Sequence, residues 1–108
     1  MFGDLMGMMG KLKETRQKIA DTKKRLDTVT LKESTADGAV EILITANREI
    51  REIHLDDRLL QDKDELTDTL VMALNRAITR AGEVQEAELG AVAREGMPNI
   101  PGMDQFLK

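Results

Sequence analysis

Leu5, Leu12, Ile19 and Leu26 recur at every seventh position, with Met8, Thr15 and Thr22 three places after the first three. A strict seven-residue repeat draws one narrow seam down a helix, of the kind that packs along a second helix. The spacing predicts a helix over residues 4–27. Gly7 and Gly10 each cost about 1 kcal/mol relative to alanine, so its first two turns are the weakest. From residue 28 the pattern changes to β-branched residues (TVTLKEST, 28–35), followed by Asp37-Gly38, a strong short hairpin signal. Val40-Glu41-Ile42-Leu43-Ile44 continues as a largely apolar strand covered on at least one face. After Asn47-Arg48 comes a third strand with Ile53 and Leu55 on one face. Strands 28–35, 39–46 and 49–55 make an antiparallel meander.

Asp56-Asp57-Arg58 ends the strand pattern, and Asp62 with Glu65 resembles a capping box with Asp in place of Ser or Thr. A second helix is expected over 62–94, with an apolar stripe of Leu66, Leu70, Ala73, Leu74, Ala77, Ala81 and Val84. Gly90 or Gly96 ends it. The tail, 95–108, holds two prolines and is irregular; its Ile100, Met103 and Phe106 either dock onto the body or stay disordered. The fold class is therefore α+β, helix–three strands–helix, as one domain over 1–108.

The lengths carry a consequence. A 24-residue helix is ~36 Å long, whereas seven-residue strands span ~23 Å. The first helix overhangs its own sheet and leaves part of its seam uncovered. An identical subunit is the simplest cover, so a homodimer is expected, with Leu5, Met8, Leu12, Ile19 and Leu26 as its interface. Met6, Met8 and Met9 suit the same packing or an adaptable docking surface, and Met72 reads as core filler.

Composition narrows the class. Of 108 residues, 41% are hydrophobic and 33% charged, as in soluble folded proteins, and Phe2 and Phe106 are the only aromatics. The core is therefore aliphatic. The absence of cysteine excludes disulfide and thiolate chemistry and suits a cytoplasmic protein. The opening MFGDLMGMMG has no basic leader region and carries Asp4, and no later segment reaches the roughly 18 apolar residues of a membrane span. No membrane association is expected.

Charge is unevenly distributed. Residues 1–32 hold eight Lys/Arg against four Asp/Glu, while 33–108 hold eight against sixteen, giving the net −4. Beside the seam, Lys11, Lys18 and Arg25 share one row; Arg16 and Lys23 line the other flank, with Lys13 and Lys24 further round. Arg76 and Arg80 make a smaller pair on the second helix. Cations ~10 Å apart along a helix suit a polyanion held through its phosphates, without sequence readout. The residues alone leave a second reading open: lysine stems cover apolar surface, and Glu14–Lys18 and Asp21–Arg25 neutralise charge locally.

Catalysis is not expected. His54 is the one histidine and sits on a strand of alternating character; no spaced His/Cys set offers a metal site. Asp56, Asp57, Asp62, Asp64 and Glu65 lack the spacing of a calcium loop and fit helix capping better. No cofactor, metal or small-molecule substrate is implied.

Three segments, MFGDLMGMMGKLKE at the start, DGAVEILITANREIREIHLDDRLLQDKDELTDTLVMALNRAI in the middle and GMPNIPGM near the end, carry a resemblance. Its most specific pieces are Gly38-x-Val40, Leu59-Leu60 and Ala73-x-Asn75-x-Ala77. Over nearly its full length the chain resembles the YbaB/EbfC family of bacterial nucleoid-associated proteins. The resemblance implies a tweezer-like homodimer with protruding helices. It also implies binding to double-stranded DNA with little sequence preference, and an organising or regulatory role at the nucleoid. Two departures stand out. Asn47-Arg48 replaces the family's frequent Asn-Gly, so that turn should be of another type, since positive φ is uncommon outside glycine. Asp56-Asp57 replaces Asp-Pro. A protein-interaction adaptor without relevant DNA affinity is the alternative, using the exposed seam and Met-rich start.

Overall fold

A computed structural model describes residues 2–96 of the chain. It contains α1 (Phe2–Leu26), β1 (Thr30–Ser34), β2 (Val40–Thr45), β3 (Ile50–Leu55), a 3-10 turn (Asp57–Gln61) and α2 (Lys63–Glu95). The α-β-β-β-α order matches the pattern of the sequence, with strands trimmed by one or two residues at most ends. The expectation of an irregular tail falls, from residue 97 onward, outside the described residues.

The three strands form one antiparallel sheet in the order β1-β2-β3. Val40, Ile42 and Ile44 point to one face and are buried against α2, each worth ~1.5–3 kcal/mol relative to exposure. The helix presents Ala73, Ala77 and Ala81 at the centre of that contact, flanked by the partly buried Leu66, Leu70 and Leu74. Methyl side chains at four-residue spacing let α2 lie close to the strands; the leucines fill the sides. Met72, expected in the core, is instead exposed on the outer side of α2. The reason is angular: position 72 lies well off the stripe that 73, 77 and 81 define.

The hairpins explain the register. At the first, Gly38 has φ 72°, and Asp37 accepts hydrogen bonds from the Thr35 hydroxyl (2.8 Å) and the Ala39 amide (3.1 Å). At the second, Arg48 donates its amide to the Thr45 carbonyl (3.0 Å) and the Thr45 amide bonds the Glu49 carbonyl (2.8 Å). This is a three-residue loop with a left-handed final residue, a different type from the Asn-Gly turn. The left-handed residue is nonetheless Arg48, at φ 66°. Its guanidinium lies across Gly82 of α2, where a Cβ would come within 2.8 Å of Nη2, and it pairs with Glu86 at 3.2 Å. A register shift between Leu43 and Ile44 absorbs one residue of β3 and keeps Ile50, Ile53 and Leu55 on the face of Ile44, Ile42 and Val40.

Between the sheet and α2 runs the 3-10 turn, which the polar run Asp56-Asp57-Arg58 hides in the sequence. Asp56 caps it by accepting from the Arg58 amide (3.1 Å), and Leu59 is buried beneath α2. Asp62 then caps α2 by accepting from the Glu65 amide at 3.1 Å. The reciprocal half of a capping box is replaced by the Asp62 amide bonding the Leu59 carbonyl.

Candidate nucleic-acid interface

The two helices divide the molecule into a body and an arm. The first five turns of α2 cover β1 and β2, and its last turns run past the sheet edge alongside α1. The described chain measures 71 × 26 × 16 Å. Antiparallel pairing of the helices is fixed at both ends: Arg25 meets Glu88 at 2.7 Å, and Gly96 abuts Thr15 so closely that any Cβ there would overlap its hydroxyl. The seam of α1 therefore packs on the chain's own α2. Leu26 and Thr22 are buried and Ile19 and Thr15 half-buried, whereas Leu12, Met8 and Leu5, beyond the end of α2, are 58%, 55% and 56% exposed.

Leu26 leaves the expected intersubunit set for this reason. It belongs to the subunit's own core and has no surface to offer a partner. Ile19 keeps only part of its surface. Leu5, Met8 and Leu12 are the seam positions that stay open.

Asn47 sets the arm on the body. Its amide nitrogen donates to the Lys23 carbonyl (2.7 Å) and to Asp27 (2.6 Å), and its oxygen accepts from Gln85 of α2 (3.2 Å). One turn residue of the sheet thus ties the last turn of α1 to α2. The Lys23 carbonyl is one of the orphan acceptors that every helix leaves at its C-terminus.

The cations sort into two groups. Arg25 is held by Glu88, Lys18 by Glu14 at 3.9 Å, and Arg80 by Glu33 at 2.7 Å and the Lys32 carbonyl at 3.1 Å. Glu33 is the most buried of these acids, with a side chain 16% exposed, so the Arg80 pair is better shielded than the others. Lys11, Lys13, Arg16, Lys23, Lys24 and Arg76 make no ion pair among the described residues and are exposed.

At 100° per residue, Lys13, Arg16, Lys23 and Lys24 fall within a sector ~100° wide and ~16 Å long on the outer flank of α1. Glu14 and Asp21 lie outside that sector, Ala20 separates its cations, and Asp27 closes its lower end one turn after Lys23, where it accepts from the Asn47 amide. The row Lys11–Lys18–Arg25, which the sequence singles out, faces the α2 side and is two-thirds neutralised. Carboxylates Glu83, Glu86, Glu88 and Glu95 make the α2 side of the arm acidic. The arm is thus basic on one flank and acidic on the other. Arg76 and Arg80 sit on the half of α2 that covers the sheet, where Arg80 reaches Glu33 and the Lys32 carbonyl of β1 rather than the α1 flank.

Periodicity could not have found the masking acids: Glu88 is 63 positions from Arg25 and Glu33 is 47 from Arg80. The remaining candidate chemistry is sparse. His54 points to solvent beside Glu52 at 3.8 Å. No group of three or more metal-ligating side chains occurs among the described residues, and no described helix is long and apolar enough to cross a membrane.

Known proteins share both the sequence and the fold. A nucleoid-associated protein of Flavobacterium johnsoniae is 61% identical over 105 residues, covering 97% of this chain and 99% of that protein. One of Agrobacterium fabrum is 30% identical over 101 residues, covering 93% and 94%. An uncharacterized Helicobacter pylori protein of known crystal structure shares the fold at a TM-score of 0.63 and 20% identity, over 70% of this chain and 90% of that one. The model of the YbaB/EbfC DNA-binding family matches residues 1–97, and the chain belongs to that family.

Proposed function

We propose that the protein is a homodimer that binds double-stranded DNA at the nucleoid through phosphate contacts from the outer flank of each α1, and that it organises or regulates the DNA it holds. The observation that carries this reading is the Lys13/Arg16/Lys23/Lys24 sector, four exposed cations that make no ion pair among the described residues. Such a sector neutralises phosphates without reading bases. Membership of a DNA-binding family and the nucleoid-associated relatives support the same partner. A net charge of −4 does not oppose it, because fields from exposed charges fade within a Debye length of ~10 Å. The acidic α2 flank repels DNA and so restricts the approach to one side of the arm.

The second copy fits best at the β3 edge. Ile53 and Leu55 lie on the core face of the sheet but beyond the reach of α2, and remain 44% and 38% exposed. On the flank of α2 nearest them, Val71 and Ile78 are also exposed. Together these residues form an apolar shelf of core character, and a two-fold pairing lets each copy cover the other's shelf. Placing the contact there leaves both arms free to reach a duplex.

Fluorescence anisotropy with random-sequence duplex, at low and at physiological salt, beside sedimentation of the free protein, tests both halves. Binding that weakens steeply with salt from a two-subunit species is expected. No binding at low salt, or a single subunit in dilute solution, contradicts the proposal and favours an adaptor.

A further inference from the structure

One face of α1 runs Met6, Met9, Lys13, Arg16, Ala20 and Lys23, at alternating spacings of three and four. At 100° per residue these six fall within about 100° of the helix circumference, and Asp4, Glu14 and Asp21 fall outside it. The basic flank therefore continues, with no acid between, into an apolar tip. Met6 and Met9 are 71% and 63% exposed, more than Met8 or Leu12 of the seam. They also lie off that seam, so prolonging its packing would leave them uncovered. Among the described residues α2 reaches only to Gly96, which abuts Thr15, and residues 2–14 of α1 extend ~20 Å past it as a single helix. A lone helix is ~10–12 Å across with its side chains, and the major groove of B-DNA is ~12 Å wide; the two-helix part of the arm is too broad to enter.

Resting on the DNA-binding reading above, we propose that the tip of α1 enters the major groove and lays Met6 and Met9 against thymine methyl groups on its floor, giving the grip a preference for A·T-rich duplex. Apolar side chains gain from contact with the thymine C5-methyl, whereas against a G·C pair they strip water from polar edges and return no hydrogen bond. Methionine suits such a contact because its unbranched chain adapts to methyls at varied positions. Lys13 and Arg16 follow Met9 at ~6 and ~10 Å along the axis, close enough for their long side chains to reach the phosphates that border the same groove. The cations then supply most of the affinity, and the tip adds an increment that depends on the bases. An anionic lipid surface also attracts basic and apolar groups together, but an interfacial helix carries them side by side along its length. Here they follow one another along the axis, which suits a groove with a charged rim and methyl groups on its floor.

Replacing thymine by uracil throughout an A·T duplex removes those methyls and leaves every base-pair hydrogen bond and phosphate in place. The full-length protein should bind the uracil duplex about tenfold more weakly, since each buried methyl is worth about fourfold in affinity. Met6→Ser with Met9→Ser should bind the two duplexes equally, with the salt slope of the unaltered protein, because its cations are intact. Equal binding of the two duplexes by the unaltered protein, or the same discrimination by the double variant, overturns the proposal. So does a double variant that sediments with fewer subunits, which would give the two methionines to a second copy. Pelleting with anionic phospholipid vesicles that the double variant loses, with both duplexes bound alike, would give them to a lipid surface. If the unaltered protein binds neither duplex at low salt, the DNA-binding reading itself fails, a result distinct from binding both alike.

Discussion

Replacing Leu26 with alanine separates a seam that packs within the subunit from one that packs between subunits. Leu26 is fully buried in the single chain, at the joint where α1 meets the body. Truncating a leucine in such a site costs ~2–5 kcal/mol, combining lost transfer energy with the cavity left behind. Asn47 and its hydrogen bonds hold the surroundings in place, so the cavity has little chance to collapse and a value of ~3 kcal/mol is expected. For a domain of this size that lowers Tm by ~10–20 °C. Leu12→Ala is the internal comparison: at 58% exposure it should cost far less. Urea unfolding gives the free energies, and sedimentation without denaturant gives the subunit equilibrium. Leu26→Ala should be strongly destabilised yet sediment as the unaltered protein does. A cost below about 1 kcal/mol, or a shift to single subunits with stability preserved, would refute the intrachain packing of α1 on α2.

Three further outcomes follow from particular contacts. Asp37 is held below the ordinary carboxylate value of 3.8 chiefly by the Ala39 amide, then by the Thr35 hydroxyl and the Arg58 guanidinium. A lowered folded pKa stabilises above the unfolded value and fades as pH falls through it, so Asp37→Asn should be less stable at pH 7, with the difference closing below about pH 3.8 in acid-unfolding curves. Gly96→Ala drives a methyl into Thr15 and should cost ~1–3 kcal/mol by overpacking, partly recovered by Thr15→Ala; an unchanged melting curve would deny the close approach of the helices. Ile53→Asp places a charge on the β3 shelf and should dissociate the proposed dimer in sedimentation while far-UV circular dichroism stays native; a retained dimer would move the interface elsewhere.

The sequence disclosed some parts of this molecule more readily than others, for physical reasons. Element order was legible because periods of seven, two and three-to-four residues are properties of single elements. Asp37-Gly38 and Asp62 could be read because turn and cap chemistry is local. The 3-10 turn was hidden because its one buried residue, Leu59, sits among charges. The seven-residue seam announced that α1 packs on a helix but not on which one, and the answer lay sixty residues downstream in the same chain. The basic arm was visible in the charge split. Which cations stay unpaired was not, because Glu88 and Glu33 reach Arg25 and Arg80 only through the tertiary fold. Arg48 accepts a left-handed backbone for a similarly distant reason, since its side chain gains Gly82 and Glu86 as neighbours.

The most direct test of the proposed DNA-binding flank compares two variants across a salt series. Four phosphate contacts from one arm predict a log–log salt slope of ~−3.6, or a ~150-fold loss of affinity between ~50 and ~200 mM. Lys13→Gln, Arg16→Gln, Lys23→Gln and Lys24→Gln together should abolish most of that slope and the binding with it. Lys18→Gln, Arg25→Gln and Arg80→Gln together, which remove only cations already paired, should leave the slope nearly intact. If the first variant binds with an unchanged slope, or the second loses binding to the same degree, the outer flank of α1 is not what holds the DNA.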